Sequence, residues 1–161
     1  MKSLLSIKFC GLFAGLLLTC GINSVALAET PSNTQSESTQ TVSYQKVVDQ
    51  AADMTRKGQA VQAYQLLQSH ADEYAGHPEY DYVLGSAAID AGHPVDAIFA
   101  LERVLDQQPD YAPARAELAR AYFLIGENEA AKAEFKQAKK SQMPSDAEKL
   151  IDSYLSTIDE R

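Results

Sequence analysis

From Tyr44 onward, apolar residues recur three and four positions apart between short polar breaks, the spacing that lines up side chains on one face of an α-helix. The stripe is clearest where Ala97, Ile98, Leu101, Val104 and Leu105 follow one another. The breaks carry Gly58, Gly92 and Gly126, each 34 residues from the next, and Ala63, Ala97 and Ala131 trail them at the same interval. Leu67, Leu101 and Phe135 share a register position, as do Leu84 with Leu118, Gly85 with Ala119, and Ala88 with Tyr122. A fixed period of this length marks stacked copies of one supersecondary unit. No period-two alternation competes with it, so an all-α chain without strands is expected.

Each register position has a mechanical reason. The three glycines stand where one helix must end in a left-handed turn before the next begins. The alanines, with Gly85 and Ala119, let paired helices approach closely. Three helix pairs are predicted, at about 44–77, 78–111 and 112–145. The first is the least regular, with Gln50 where Leu is expected and His70 where a small residue is usual, which predicts looser or partly polar packing there. Ser145-Asp146-Ala147-Glu148 reads as a capping box. It predicts a last helix, 146–160, whose face of Leu150, Ile151, Tyr154, Leu155 and Ile158 covers the open end of the third repeat.

Leu84-Gly85 with Ala88, Ala97, Leu101 and Pro109 resembles the tetratricopeptide pattern, and Leu118-Ala119 with Tyr122, Ala131 and Phe135 fits it better still. The implied fold is a TPR helical-hairpin solenoid of three repeats plus a C-terminal capping helix. The run from Pro113 to Phe123 and the segment from Ile151 to Asp159 are similar, further, to the periplasmic repeat region that precedes the outer-membrane barrel in surface lipoprotein assembly modifiers. That resemblance implies a role near outer-membrane or surface-protein export. The sequence ends at Arg161, where the barrel strands of that family would begin, so the implied role reduces to binding, as an adaptor or scaffold. Some tetratricopeptide domains clamp an acidic C-terminus with Lys and Asn. The matching first-repeat positions here are Val48 and Ala52, and the clamp is not expected.

The N-terminal segment alters where this module is expected to work. Lys2 and Lys8 precede an apolar run from Phe9 to Leu18, and Ala26-Leu27-Ala28 fits a signal-peptidase site, so 1–28 reads as an export signal cleaved after Ala28. A polar stretch, 29–41, is expected to be a disordered leader. The alternative start is Cys20, which follows Leu17-Leu18-Thr19 in the manner of a lipobox; it would make the chain an outer-membrane lipoprotein, a structural assembly factor tethered by lipid. Both cysteines lie in the signal, so the mature periplasmic form has no thiol chemistry. Removing two lysines and no acid takes the formal net charge from −8 to −10, which argues against nucleic acid. A monomer, with no direct membrane insertion of the mature chain, is expected.

In the implied solenoid the first helix of each pair lines a concave groove. Tyr82, Ser86 and Ile89 of the second repeat are expected there beside Arg120, Phe123 and Leu124 of the third, as a site for a protein or peptide of the cell envelope. Arg120 is the candidate for a carboxylate, and Tyr82 and Phe123 are the candidate aromatic anchors. The competing reading puts Ile89 and Phe123 in the core and makes Arg120 a solvated charge. His70, His77 and His93 lack metal-ligand spacing. No nucleophile motif or glycine-rich phosphate loop occurs, and a catalytic role would need a cluster such as His77, Glu79 and Asp81. The expectation is a non-enzyme with no catalytic residue, cofactor or metal.

Overall fold

The computed structural model describes the backbone of residues 34–160 and the side chains of residues 44–160. The expected signal, Cys20 and residues 29–33 of the expected leader lie outside the described residues. Eight helices follow within that range: α1 (Thr34–Arg56), α2 (Ala60–Gln68), α3 (Ala71–Tyr74), α4 (Pro78–Asp90), α5 (Pro94–Gln107), α6 (Ala112–Leu124), α7 (Asn128–Ala138) and α8 (Ser145–Asp159). No strand occurs among the described residues. The architecture is the all-α solenoid of three helical hairpins, α1/α2, α4/α5 and α6/α7, with α8 as the added C-terminal helix.

The turns inside the hairpins are built alike. Gly58, Gly92 and Gly126 have φ of 76°, 85° and 85°. Past each of them a backbone N–H reaches back to the last helical turn, from Gln59 to Met54 O (2.9 Å), from His93 to Ala88 O (2.8 Å) and from Glu127 to Tyr122 O (2.9 Å). This is the Schellman closure, in which a left-handed glycine lets the chain satisfy carbonyls that the helix end would leave open. Proline then starts α4 and α5, where its missing N–H costs nothing.

Packing follows the register. Ala63, Ala97 and Ala131 are fully buried, and Leu67, Leu101 and Phe135 fill the positions one turn on. Gly85 is small for a visible reason: a Cβ built on it would lie 2.6 Å from Leu101 Cγ. One continuous core runs through α1 to α6, from Val47 and Ala51 to Leu118 and Ala121. A smaller cluster joins α6, α7 and α8 through Ala119, Phe135, Ile151 and Ile158.

The joint between the first and second repeats holds a polar device. Asp81, on α4, is completely buried and takes both oxygens to Arg103 of α5, Nε at 3.0 Å and a terminal nitrogen at 2.5 Å. The Gly76 N–H donates to the same carboxylate at 2.9 Å, while Gln107 Nε2 donates to Gly76 O at 2.7 Å. Tyr80, fully buried next door, donates its hydroxyl to Leu67 O. The α3–α4 turn is thereby tied on one side to α2 and on the other to α5.

Several details depart from the sequence reading. Residues 34–41, expected to be disordered leader, belong to α1. Tyr44, Val47, Val48 and Ala51 anchor that helix against the core, and once a nucleus is fixed, extension into a polar stretch costs little. Gln50 is not a polar core residue but an exposed one, since Val47, Val48 and Ala51 supply the buried face. At His70 the second helix of the first repeat breaks into α2 and α3, and the imidazole Nδ1 sits 3.0 Å from Leu66 O with its ring stacked on Tyr74. The capping box does not form. Extended Pro144 (ψ 143°) occupies the cap, Ser145 is already helical, and its Oγ faces Asp146 instead. Of the five apolar residues of α8, Ile151 and Ile158 are buried, whereas Leu150 is 55% exposed.

Candidate protein-binding face

The first helices α1, α4 and α6 lie side by side, because each hairpin stacks on the one before it. Tyr82 stands at the centre of this face and borders two depressions. On one side Ala52, Thr55 and Arg56 of α1 face Tyr82, Val83 and Ser86 of α4 around about 350 Å³. On the other side a pocket of about 260 Å³ opens between Tyr82, α6 and α8, with Ala116, Glu117 and Arg120 on one wall and Ala147, Leu150 and Tyr154 on another.

Tyr82 is half-buried and packs edge-on against Tyr111, with ring centroids 5.4 Å apart. Burial, aided by the nearby Glu117 carboxylate, pushes its phenol up to about 12, so it is a neutral donor at any physiological pH. Arg120 donates from one terminal nitrogen to Glu117 Oε2 at 2.8 Å and from the other to Asp90 Oδ1 at the end of α4. Burial alone would pull this guanidinium down; the two carboxylates more than offset it and hold its pKa up. Glu117 shows the opposite balance. Burial raises its pKa, against the pull of Arg120, and Asp90 adds to the rise.

The six residues singled out from the sequence therefore separate. Tyr82 and Arg120 share the α6–α8 pocket, and Ser86 joins Tyr82 at the α1–α4 depression. Ile89, 4% exposed, belongs to the core. Phe123 packs its ring edge-on against Tyr154 at 5.1 Å, and Tyr154 in turn stacks on Phe135 at 5.2 Å, so Phe123 helps to seat α8. Leu124, at the end of α6, is exposed. Arg120 is an ion-paired side chain whose two terminal nitrogens already hold carboxylates, rather than a solvated charge. The sequence reading missed Glu117, Asp90 and the α8 wall. The Glu117–Arg120 spacing of three on one helix was the available signal; Asp90 and α8 arrive only through packing between repeats.

No helix among the described residues is long and apolar enough to cross a membrane. No group of three His, Cys, Asp or Glu side chains among them could hold a metal ion. Of the two acids in the His77, Glu79 and Asp81 group, Asp81 is enclosed and bound by Arg103.

Paired helices, glycine closures and the 34-residue register define a tetratricopeptide-type helical solenoid, and residues 88–153 match the tetratricopeptide repeat family model. Within that class the chain is similar to Surface lipoprotein assembly modifier 1 of Haemophilus influenzae, with 39% identity over 70 residues, 44% of this chain and 15% of that protein. The Surface lipoprotein assembly modifier of Pasteurella multocida matches at 38% over 66 residues, 41% of this chain and 13% of that protein. The matches thus span about one seventh of these relatives. Among solved structures, the Yersinia enterocolitica type III secretion chaperone SycD, in complex with a peptide of the translocator YopD, superposes with a TM-score of 0.63 at 15% identity, covering 73% of this chain and 92% of that one. The first TPR domain of human RPAP3 gives 0.58 at 14% identity, covering 71% and 93%. At these identities the two structures speak for the fold.

Proposed function

We propose that this chain is an exported, periplasmic and non-catalytic interaction module that binds a protein or peptide of the cell envelope along the face of α1, α4 and α6, in the assembly or export of outer-membrane or surface proteins. The observation that carries this reading is the pair of depressions flanking Tyr82 on adjoining first helices, a rigid surface with an aromatic residue at its centre. The names of the partial relatives support the envelope context, and the peptide held by the secretion chaperone supports the capacity of such a solenoid to take a peptide.

The reading is tested by placing a photo-crosslinking residue at Ser86, on this face, or at Gln62, exposed on α2, in the full-length chain expressed in a Gram-negative cell. Adducts with one identified envelope protein from position 86 and none from position 62 are the expected result. Equal adducts from both positions, or adducts only with cytoplasmic proteins, would sink it. Intact mass of the purified chain reads the processing: a start at Glu29 supports the soluble form, and a lipid-modified Cys20 replaces it with the anchored one.

A further inference from the structure

The two depressions beside Tyr82 differ in depth and charge, and the difference gives the bound segment a chemistry. The α1–α4 depression is shallow and bordered by Thr55, Ser86 and the solvent-exposed Arg56. The α6–α8 pocket is walled by α8 as well as α6. Ala116 and Ala147 are small where the two helices face each other, leaving space between Tyr82, Met143 and Leu150. Leu150 is 55% exposed at this rim although the next residue, Ile151, is 2% exposed; α8 keeps a large apolar side chain at the mouth and not only in the core. A cavity of about 150 Å³ lined by apolar groups already takes a benzene ring, and this one measures about 260 Å³.

The charge beside the pocket is unbalanced. Asp90 and Glu117 converge on the single guanidinium of Arg120, which uses one terminal nitrogen for each. Two carboxylates against one cation leave a surplus negative charge, and burial makes the Glu117 charge costly to hold without a further partner. The complement of such a site is a cation beside an apolar group.

Building on the groove reading above, we propose that the α6–α8 pocket is the anchor point of the partner segment and takes a large apolar side chain directly flanked by lysine or arginine. The apolar group enters between Tyr82, Ala116 and Leu150, and the cation shares the carboxylates of Glu117 and Asp90 with Arg120. The same arrangement selects against acidic segments, which would bring a third carboxylate to the site.

The test is an NMR titration of the full-length chain with three capped peptides identical except for a central Lys-Phe-Lys, Glu-Phe-Glu or Lys-Ala-Lys. Lys-Phe-Lys is expected to shift the methyl signals of Ala116, Ala147 and Leu150, with the other two weaker by about tenfold, the step that 1.4 kcal/mol represents. Ala116→Leu, which fills the pocket, abolishes the shifts of Ala147 and Leu150. Leu150→Ser, at an exposed position, weakens the shifts of Ala116 and Ala147. Glu117→Gln reduces the preference of lysine over glutamate by about threefold, as expected for one partly solvated ion pair. Equal or stronger binding of Glu-Phe-Glu, shifts that persist in Ala116→Leu, or shifts caused by octanoate and by none of the peptides would each overturn the proposal. If these tests fail while Ser86 still crosslinks to an envelope protein, the anchor is wrong and the groove reading stands. If both fail, both are wrong.

Discussion

The joint between the first two repeats and the C-terminal end of the solenoid use the same helix pairing and hold it together differently. At the first joint Tyr80, Asp81 and Leu67 are all essentially inaccessible, and within the second hairpin that it seats, Gly85 admits the buried Leu101 closer than any side chain would allow. At the far end α8 rests on two buried isoleucines, an aromatic stack around Tyr154 and surface pairs between Lys132 and Asp159 and between Lys139 and Asp152. Exposed ion pairs of that kind are screened by solvent and contribute little to holding the helix in place. The first region is closed and finished. The second leaves a pocket and an exposed leucine, and the difference separates the part of a repeat array that carries stability from the part free to meet a partner.

The largest effect that sharpens this contrast is expected from Gly85→Val, which drives a branched side chain into Leu101 and costs about 3 kcal/mol in urea unfolding. A loss under about 1 kcal/mol would mean that α4 and α5 can move apart, and the second hairpin would not be the rigid part of the array. Next comes Asp81→Ala, expected to cost about 2–3 kcal/mol because Arg103 and the Gly76 N–H both lose their acceptor; Arg103 is partly exposed and recovers some hydration. A double-mutant cycle with Arg103→Ala reads the coupling directly. Ile151→Ala should cost about 2 kcal/mol, with the loss seen as earlier melting of α8 while the helices of the first two repeats keep their transition. Leu150→Ser should leave stability within about 0.5 kcal/mol of the parent; a clear loss would turn the rim of the pocket into core and erase the comparison.

The smallest expected effect is on pH dependence. The folded chain holds the proton of Glu117 at higher pH than the unfolded chain does, because burial raises its pKa. In the window that opens at the ordinary glutamate pKa and runs upward to the raised one, the folded state binds more protons, so the Glu117 contribution to stability falls as pH rises. Comparing melting temperature against pH for the parent and Glu117→Gln, the parent should show the steeper decline across that window. Parallel curves would mean that Arg120 fully compensates the buried charge.

The fold was legible in the chain because a repeat states its register several times over. Gly58, Gly92 and Gly126 locate the turns, the matched alanines and leucines locate the core, and each unit checks the others. What had to be learned from the structure lies where the repetition stops. Helix α1 begins at Thr34 because a packed nucleus extends into residues whose composition argues against order. The capping box at Ser145 loses to the extended backbone of Pro144, one residue earlier. The candidate site was legible at Tyr82 and Arg120, which the register itself places on neighbouring first helices. Ile89 and Phe123 were harder, since a first helix also packs sideways on its neighbours, and apolar spacing does not distinguish that flank from the open face. Asp90 meets Arg120 across 30 residues of sequence, a pairing that no local pattern announces.

Asp81 holds Gly76 and Arg103 at once, and Gln107 returns to the Gly76 carbonyl, so a turn ahead of α4 is stapled to the last turn of α5. In the time domain the second repeat is expected to be the slowest of the described parts to open, because the buried Asp81 carboxylate gives up Arg103 and Gly76 only when α4 and α5 separate. Backbone amides of α4 and α5 should exchange with solvent only through global unfolding, and those of α8 through a separate, cheaper opening. Hydrogen exchange that ran at one rate through both regions would show the array melting as a block. Unequal rates would mean that this chain can loosen one wall of its pocket to admit a partner while the rest of the solenoid keeps its shape.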